Sequence, residues 1–166
     1  MKIPIKHLHD GEHHFSENIK ASSLKFYRQE VYPHPIVIEA SLDKFGDTIR
    51  CTVRMKTIAG YCCDRCLENY EKPVEIRFEL LLRVDENALE TDEENVVQLS
   101  PDTMEFDLTD WLIEFLILDV PMKTVCDENC KGLCAGCGAD LNKEACQCDV
   151  SDIDPRWEKL LSLKKQ

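Results

Sequence analysis

Six of the chain's ten cysteines fall in one run, CDENCKGLCAGCGADLNKEACQC, from Cys126 to Cys148. Three structures compete for such a run: a disulfide scaffold, an iron–sulfur cluster, or a structural zinc site that draws ligands from elsewhere in the sequence.

The rest of the chain weighs against disulfides. Ten cysteines in 166 residues fall below the roughly 8–10% of a short secreted scaffold. The opening MKIPIKHLHDGEHHF lacks an apolar signal core, and the longest apolar run, WLIEFLIL, is too short to span a bilayer and carries Glu114. The expectation is a cytoplasmic protein with no membrane partner, and in a reducing cytosol clustered thiols are more often metal ligands than disulfides.

Cys63 and Cys66 form one C-x-x-C loop; Cys134 and Cys137 form another, followed by Gly138. A two-residue spacer lets both sulfurs face one ion, and the following glycine can take the positive φ that turns backbone amides toward them. Each loop supplies half a tetrahedral site. The pairs Cys126 with Cys130 and Cys146 with Cys148 supply the other halves, so eight cysteines fit two structural zinc ions per chain. The four pairs combine into two sites in three ways. The favoured division closes Cys134, Cys137, Cys146 and Cys148 locally, because only the short stretch from Gly138 to Ala145 separates its halves. It then joins Cys63 and Cys66 to Cys126 and Cys130 across the whole span from Leu67 to Val125. Cys51 reads as a small core residue, and Cys62, pointing opposite to Cys63 along a strand, as a bystander or a replacement for Cys63.

Cys130, Cys134 and Cys137 also match the C-x-x-x-C-x-x-C spacing of radical-SAM clusters, but the stretch from Gly138 to Gln166 is too short for the barrel such enzymes need. No H-E-x-x-H, phosphate loop, nucleophile elbow or deaminase motif occurs, so no catalytic residue and no small-molecule substrate is expected. His7, His9, His13, His14 and His34 read as solvent-exposed.

Alternation sets the remaining fold. Ile36, Ile38, Ala40 and Leu42, then Ile49, Cys51, Val53 and Met55 around a turn at Gly46, predict a hairpin. From Val74 to Val84 a strict period of two predicts a third long strand. IPI, GEHHFSENI, VVQL and MEF suggest shorter strands, and SSLKFYRQ a helical turn capped by Ser22 or Ser23. DLTDWLIEFLILDVP predicts a helix capped by Asp107 and stopped by Pro121; its apolar residues run almost all round, so it should be buried, Trp111 included. The acidic segment from Asp85 to Glu94 reads as a solvated loop, and DPRWEKLLSLKK as a terminal amphipathic helix carrying Trp157. The expected class is α+β: an antiparallel sheet or partly open barrel with a buried helix, plus a small C-terminal zinc-ribbon-like module. Residues 1–130 would form the β-rich core domain with its C-x-x-C loop, and 131–166 the cysteine-rich tail with its helix.

CDRCLENY, FDLTDWLIEFLILDVP, CKGLCAGCGADLN, CQC and the late DPRWEKLLSL occur in that order over roughly residues 50–163. In this the chain resembles the YceD-like family, the large ribosomal RNA subunit accumulation proteins. The resemblance implies a non-enzymatic cytosolic bacterial protein, with plastid relatives, needed for accumulation of 23S rRNA and hence for large-subunit assembly. It also implies that some members lack the GLCAGCG and CQC cysteines while keeping the C-x-R-C loop and a pair near Cys126 and Cys130. A whole site would then be lost rather than half of two.

Charge separates two ways of serving ribosomal RNA. A net charge of −12 repels phosphate, and two tetrathiolate zinc sites would add about four further negative charges. Arg50, Arg54 and Lys56 share one strand face, which Arg65, Arg77 and Arg83 could extend into a basic contact patch for RNA or ribosome. The alternative is a zinc-ribbon interaction module that holds or docks on a basic ribosomal protein without touching RNA, for which the acidic segment is suited. The expected partner is a large-subunit precursor, through ribosomal protein, 23S rRNA or both.

Overall fold

The computed structural model describes residues 1–85 and 95–148. The acidic segment beyond Asp85 and the predicted terminal helix with Trp157 lie outside them. The chain forms two compact units: Met1–Tyr61 with Asn69–Thr124, and Cys62–Glu68 with the residues from Val125 onward.

The first unit is an α+β fold. Its strands are β1 (Lys2–Pro4), β2 (Gly11–Lys20), β3 (Pro35–Phe45), β4 (Thr48–Cys62), β5 (Asn69–Val84), β6 (Val96–Leu99) and β7 (Glu105–Asp107), with one helix, α1 (Thr109–Asp119). Five strands make one sheet in the order β2-β3-β4-β5-β6, and β1 pairs with β7 in a second, two-stranded sheet. Alternation is the cause: Ile38 pairs with Met55, Ala40 with Val53 and Leu42 with Cys51, all on the face shielded from solvent. Ile76, Phe78, Leu80 and Leu82 of β5 continue that layer. Gly46, at φ +57°, makes the tight turn between β3 and β4.

Several expectations change. The sheet is mixed, because β6 runs parallel to β5, Leu81 facing Val96. Its strand order is linear, so the sheet does not close on itself through hydrogen bonds among the described residues. The helix buries only Leu112 and Leu116, leaving Trp111 half-buried and Leu118 68% exposed. An all-round apolar sequence specified what the helix could bury, and the single sheet face offers room for one stripe. Phe115 adds a stacked contact with Phe78 at 4.1 Å. The N-cap is Leu108; Asp107 acts one residue earlier, its carboxylate accepting the Thr109 N–H at 2.9 Å. The helical turn after β2 is a short 3-10 turn at Ala21–Ser23, with no side-chain cap, followed by a second at Gln29–Val31.

Candidate metal centre

The turn between β4 and β5, residues 63–68, belongs with the last residue of β4 to the second unit as the segment Cys62–Glu68. In it the Cys63 N–H donates to Glu68 O at 2.9 Å and the Leu67 N–H to Cys63 O at 2.8 Å. The loop from Cys134 to Ala139 repeats both bonds: Cys134 N–H to Ala139 O at 2.8 Å, Gly138 N–H to Cys134 O at 2.9 Å. The residue after the second cysteine is left-handed in both, Leu67 at φ +59° and Gly138 at φ +74°. The two C-x-x-C loops are therefore one knuckle built twice. Each faces a second cysteine pair. Between Cys126 and Cys130, Asp127 makes the turn, its carboxylate accepting the Asn129 N–H and its carbonyl the Cys130 N–H. Across the other, the Cys148 N–H points at Cys146 Sγ at 3.3 Å.

The eight sulfurs form two groups, Cys63, Cys66, Cys126 and Cys130 in the first site, and Cys134, Cys137, Cys146 and Cys148 in the second, each with all ligand atoms within 4.8 Å of one another. Of the three possible divisions, this is the one the spacing favoured. In the first site Cys63 Sγ lies 3.9 Å from Cys130 Sγ and Cys66 Sγ 3.7 Å from Cys126 Sγ. In the second, Cys134 Sγ lies 3.2 Å from Cys146 and 3.7 Å from Cys148, and Cys137 Sγ 4.0 Å from Cys146. A regular tetrahedron of thiolates around zinc has sulfur–sulfur edges of about 3.8 Å. The donor sets thus fit a soft, tetrahedral ion. Gly136 makes room for the second set: a Cβ there would sit 2.6 Å from Cys148 Sγ.

The thiols themselves call for a cation. Burial raises the Cys63 thiol, but the backbone amides of Cys126, Cys66 and Arg65 outweigh it and bring it down to about 6. The amides of Cys137 and Gly136 bring Cys134 down to about 6 as well. Desolvation together with the thiols of Cys63, Cys130 and Cys66 pushes Cys126 up to about 12. The neighbouring thiols of Cys137, Cys146 and Cys134 push Cys148 up to about 12. In each group, then, one thiol is shifted down and another up, and four thiolates at this distance would repel unless a positive charge stood among them.

Burial differs between the sites. Cys63, Cys66 and Cys130 are buried, while no ligand of the second site is. Among the described residues of the second unit the only buried ones are these three cysteines and Gly132. No apolar side chain among these described residues forms a core.

Cys51 is fully buried in the first unit, its thiol pushed up to about 12 by burial, and Cys62 is exposed with its Sγ 3.5 Å from Leu67 O; neither joins a four-sulfur group. His13 bonds His9 O, His14 bonds Ser41, and His34 bonds Glu71. The proposed basic stripe is largely paired. Arg54 and Arg77 both meet Glu75, at 3.2 and 2.8 Å, and Lys56 meets Glu39 at 3.2 Å. Arg50 and Arg83 are exposed on the same unit. Arg65 belongs to the other unit, where its guanidinium donates to the carbonyls of Glu128 at 3.0 Å and Cys130 at 2.8 Å, tying the first knuckle to the loop that faces it. Asn142 was not singled out from the sequence, yet it donates to Cys130 Sγ at 3.4 Å. The one available signal was the D-x-N spacing from Asp140, which makes an Asx turn.

The sequence profile described as "Large ribosomal RNA subunit accumulation protein YceD" matches residues 51–164, a span that includes all eight clustered cysteines. The chain is 26% identical over 163 residues to the Arabidopsis thaliana chloroplastic protein named large ribosomal RNA subunit accumulation protein YCED homolog 1, covering 81% of this chain and 51% of that protein. It is 32% identical over 120 residues to an uncharacterized protein of Mycobacterium tuberculosis, covering 71% and 56%. The Zea mays chloroplastic homolog 1 is 24% identical over 147 residues, covering 72% and 50%. The chain spans about half the length of the curated relatives it matches. No solved structure matches it.

Proposed function

The chain belongs to the family of large ribosomal RNA subunit accumulation proteins, YceD, and from that premise we propose that it is a non-catalytic assembly factor supporting accumulation of the 23S rRNA, held in shape by two structural zinc ions. The observation that carries the metal reading is that the described residues of the second unit bury three cysteines and a glycine and form no apolar core. A segment that small and polar needs a cross-link to hold one conformation. Zinc in a four-thiolate set supplies that cross-link and leaves no open position for substrate or water. Cys63, Cys66, Cys126 and Cys130 would hold one ion, and Cys134, Cys137, Cys146 and Cys148 the other. Arg65 would orient the first pair of loops, and Asn142 would donate to a bound thiolate. Metal analysis of untagged protein should return two zinc ions per chain; one ion, or iron with visible absorbance, would overturn this ligand count.

The partner reading favours protein over naked RNA. The net charge of −12 opposes phosphate, and Arg54, Lys56 and Arg77 spend their charge on Glu75 and Glu39. Such a face meets RNA weakly, and the chain would dock on a large-subunit precursor chiefly through a basic ribosomal protein, with Arg50 and Arg83 as secondary contacts to rRNA. The zinc-loaded protein should co-sediment with large-subunit precursors from lysate and bind naked 23S fragments poorly. Tight binding to naked fragments with a steep salt dependence would replace the protein contact with an RNA one, and no association with precursor particles would remove the assembly role.

A further inference from the structure

We infer that Asn142 couples the two metal sites, so that metal in the exposed second site strengthens metal binding in the buried first one. The inference rests on the zinc reading and goes beyond it. Asn142 lies between Cys137 and Cys146, inside the loop that the second site closes. Its side chain serves the first site. One hydrogen of Nδ2 goes to Cys130 Sγ at 3.4 Å and the other to Asp140 Oδ1 at 2.8 Å, while its Oδ1 accepts the Lys131 N–H at 2.8 Å. Both amide hydrogens and the carbonyl oxygen are thereby used, which fixes the orientation of the group toward the sulfur.

A hydrogen bond to a ligating thiolate orients it and spreads its charge; such outer partners commonly alter metal affinity by about 10–100-fold. What holds Asn142 in place is the point of coupling. Residues 142–147 are all exposed, so apolar packing does not order them. Besides the Lys131 N–H and the Lys143–Glu68 pair, their fixed points are the second-site cysteines that flank the loop and the turn at Asp140, whose carbonyl accepts the N–H groups of Lys143 and Glu144 and whose carboxylate accepts that of Asn142. The facing segment is stitched to the same frame. Leu141 N–H donates to Gly132 O at 3.0 Å, Leu133 N–H to Arg65 O at 2.9 Å, and Lys143 pairs with Glu68 of the first knuckle. Gly132 permits the approach, since a Cβ at its φ of +76° would lie 2.8 Å from Arg65 O. Emptying the second site frees the loop's ends, Asn142 loses its fixed position, and the Cys130 thiolate loses a donor. By linkage the effect is reciprocal.

The test is a double-mutant cycle on the full chain loaded with cadmium-113, whose resonance reports each four-thiolate site separately, with chelator competition giving the affinity of each. Cys137→Ser empties the second site and identifies its resonance. Asn142→Ala should lower first-site affinity about tenfold or more, shift the first-site resonance as the N–H···S bond is lost, and leave the second site loaded. Cys137→Ser should lower first-site affinity by a similar factor, and the double variant should be no weaker than either single one, because both act through the same bond. An unshifted first-site resonance in Asn142→Ala, or additive losses in the double variant, would overturn the coupling. Wild-type protein that takes up two cadmium ions in either of those cases leaves the zinc reading standing. Wild-type protein that takes up none overturns both.

Discussion

The two four-sulfur groups share a knuckle and a donor set but stand in opposite surroundings. The first gathers ligands from two distant stretches, with the whole span from Leu67 to Val125 between them, and buries three of its four cysteines. The second gathers them from one continuous stretch, Cys134 to Cys148, and buries none. In both groups amides hold one thiol down near 6, while another is held up near 12, by desolvation and neighbouring thiols at Cys126 and by neighbouring thiols first at Cys148. The shifts run in the same directions in both groups, and the clearer difference lies in what each cross-link ties together. The first ties the Cys62–Glu68 loop to the segment from Val125; the second shapes a single continuous loop.

The widest gap should appear when each site loses one thiolate. Cys63→Ser or Cys66→Ser should destabilise the protein more than Cys146→Ser at saturating zinc, as read by thermal melts at matched metal concentration. Closing the long loop from Cys66 to Cys126 rather than the short one from Cys137 to Cys146 is alone worth roughly 1.5–2 kcal/mol more. Losing a ligand at Cys63 also strands three crowded thiols, two of them buried, which adds to the cost. A Cys146→Ser variant melting as low as the other two would erase the distinction and make the sites one cooperative element.

A finer division comes from glycine. Gly132→Ala strains a left-handed backbone and drives a Cβ to 2.8 Å from a carbonyl oxygen of the first knuckle, while Gly136→Ala drives one to 2.6 Å from Cys148 Sγ. Each should cost about 1–3 kcal/mol. The larger loss should fall on a different ion in each case. Gly132→Ala should weaken the first site, and Gly136→Ala the second, in a chelator competition. Equal weakening of both sites by either change would mean that burial and sequence separation do not distinguish them.

The contrast also explains what could be seen in the sequence. The Ile36–Leu42 and Ile49–Met55 alternations specified β3 and β4 because a half-buried sheet imposes a period of two on each strand by itself. Cysteine spacing likewise favoured the observed sulfur groups, since loop closure depends on separation along the chain. The parallel pairing of β6 and the exposure of Leu118 were hidden because they depend on what lies across the sheet, which periodicity within one segment does not encode. Arg65 is exposed, as its reading as a surface cation has it, and it also ties two loops, which the sequence hid because its partners are backbone carbonyls, and these carry no sequence signature. Asn142 escaped for a related reason: a side-chain amide near a sulfur is specified by the meeting of two loops rather than by either one.

The smallest effect tests whether the two knuckles are truly one structure. Leu67 and Gly138 occupy the same position in the repeated hydrogen-bond pattern and share a left-handed backbone, φ +59° and +74°. A side chain in that region costs about 1–2 kcal/mol, whereas glycine pays roughly 0.5–1 kcal/mol in unfolded-chain entropy. The Leu67 side chain is 64% exposed, so its removal forfeits little burial. Relief of strain should therefore win, and Leu67→Gly should stabilise the zinc-loaded protein by about 0.5–1 kcal/mol. That is a rise of a few degrees in the thermal midpoint, with both ions retained. The reverse change, Gly138→Leu, should destabilise by a similar amount and loosen the second ion first, the first ion following only through the Asn142 coupling. If Leu67→Gly lowers the midpoint instead, the leucine contributes something the glycine knuckle lacks, and an exposed apolar side chain held at a strained position beside the buried site becomes the first place to look for a partner contact.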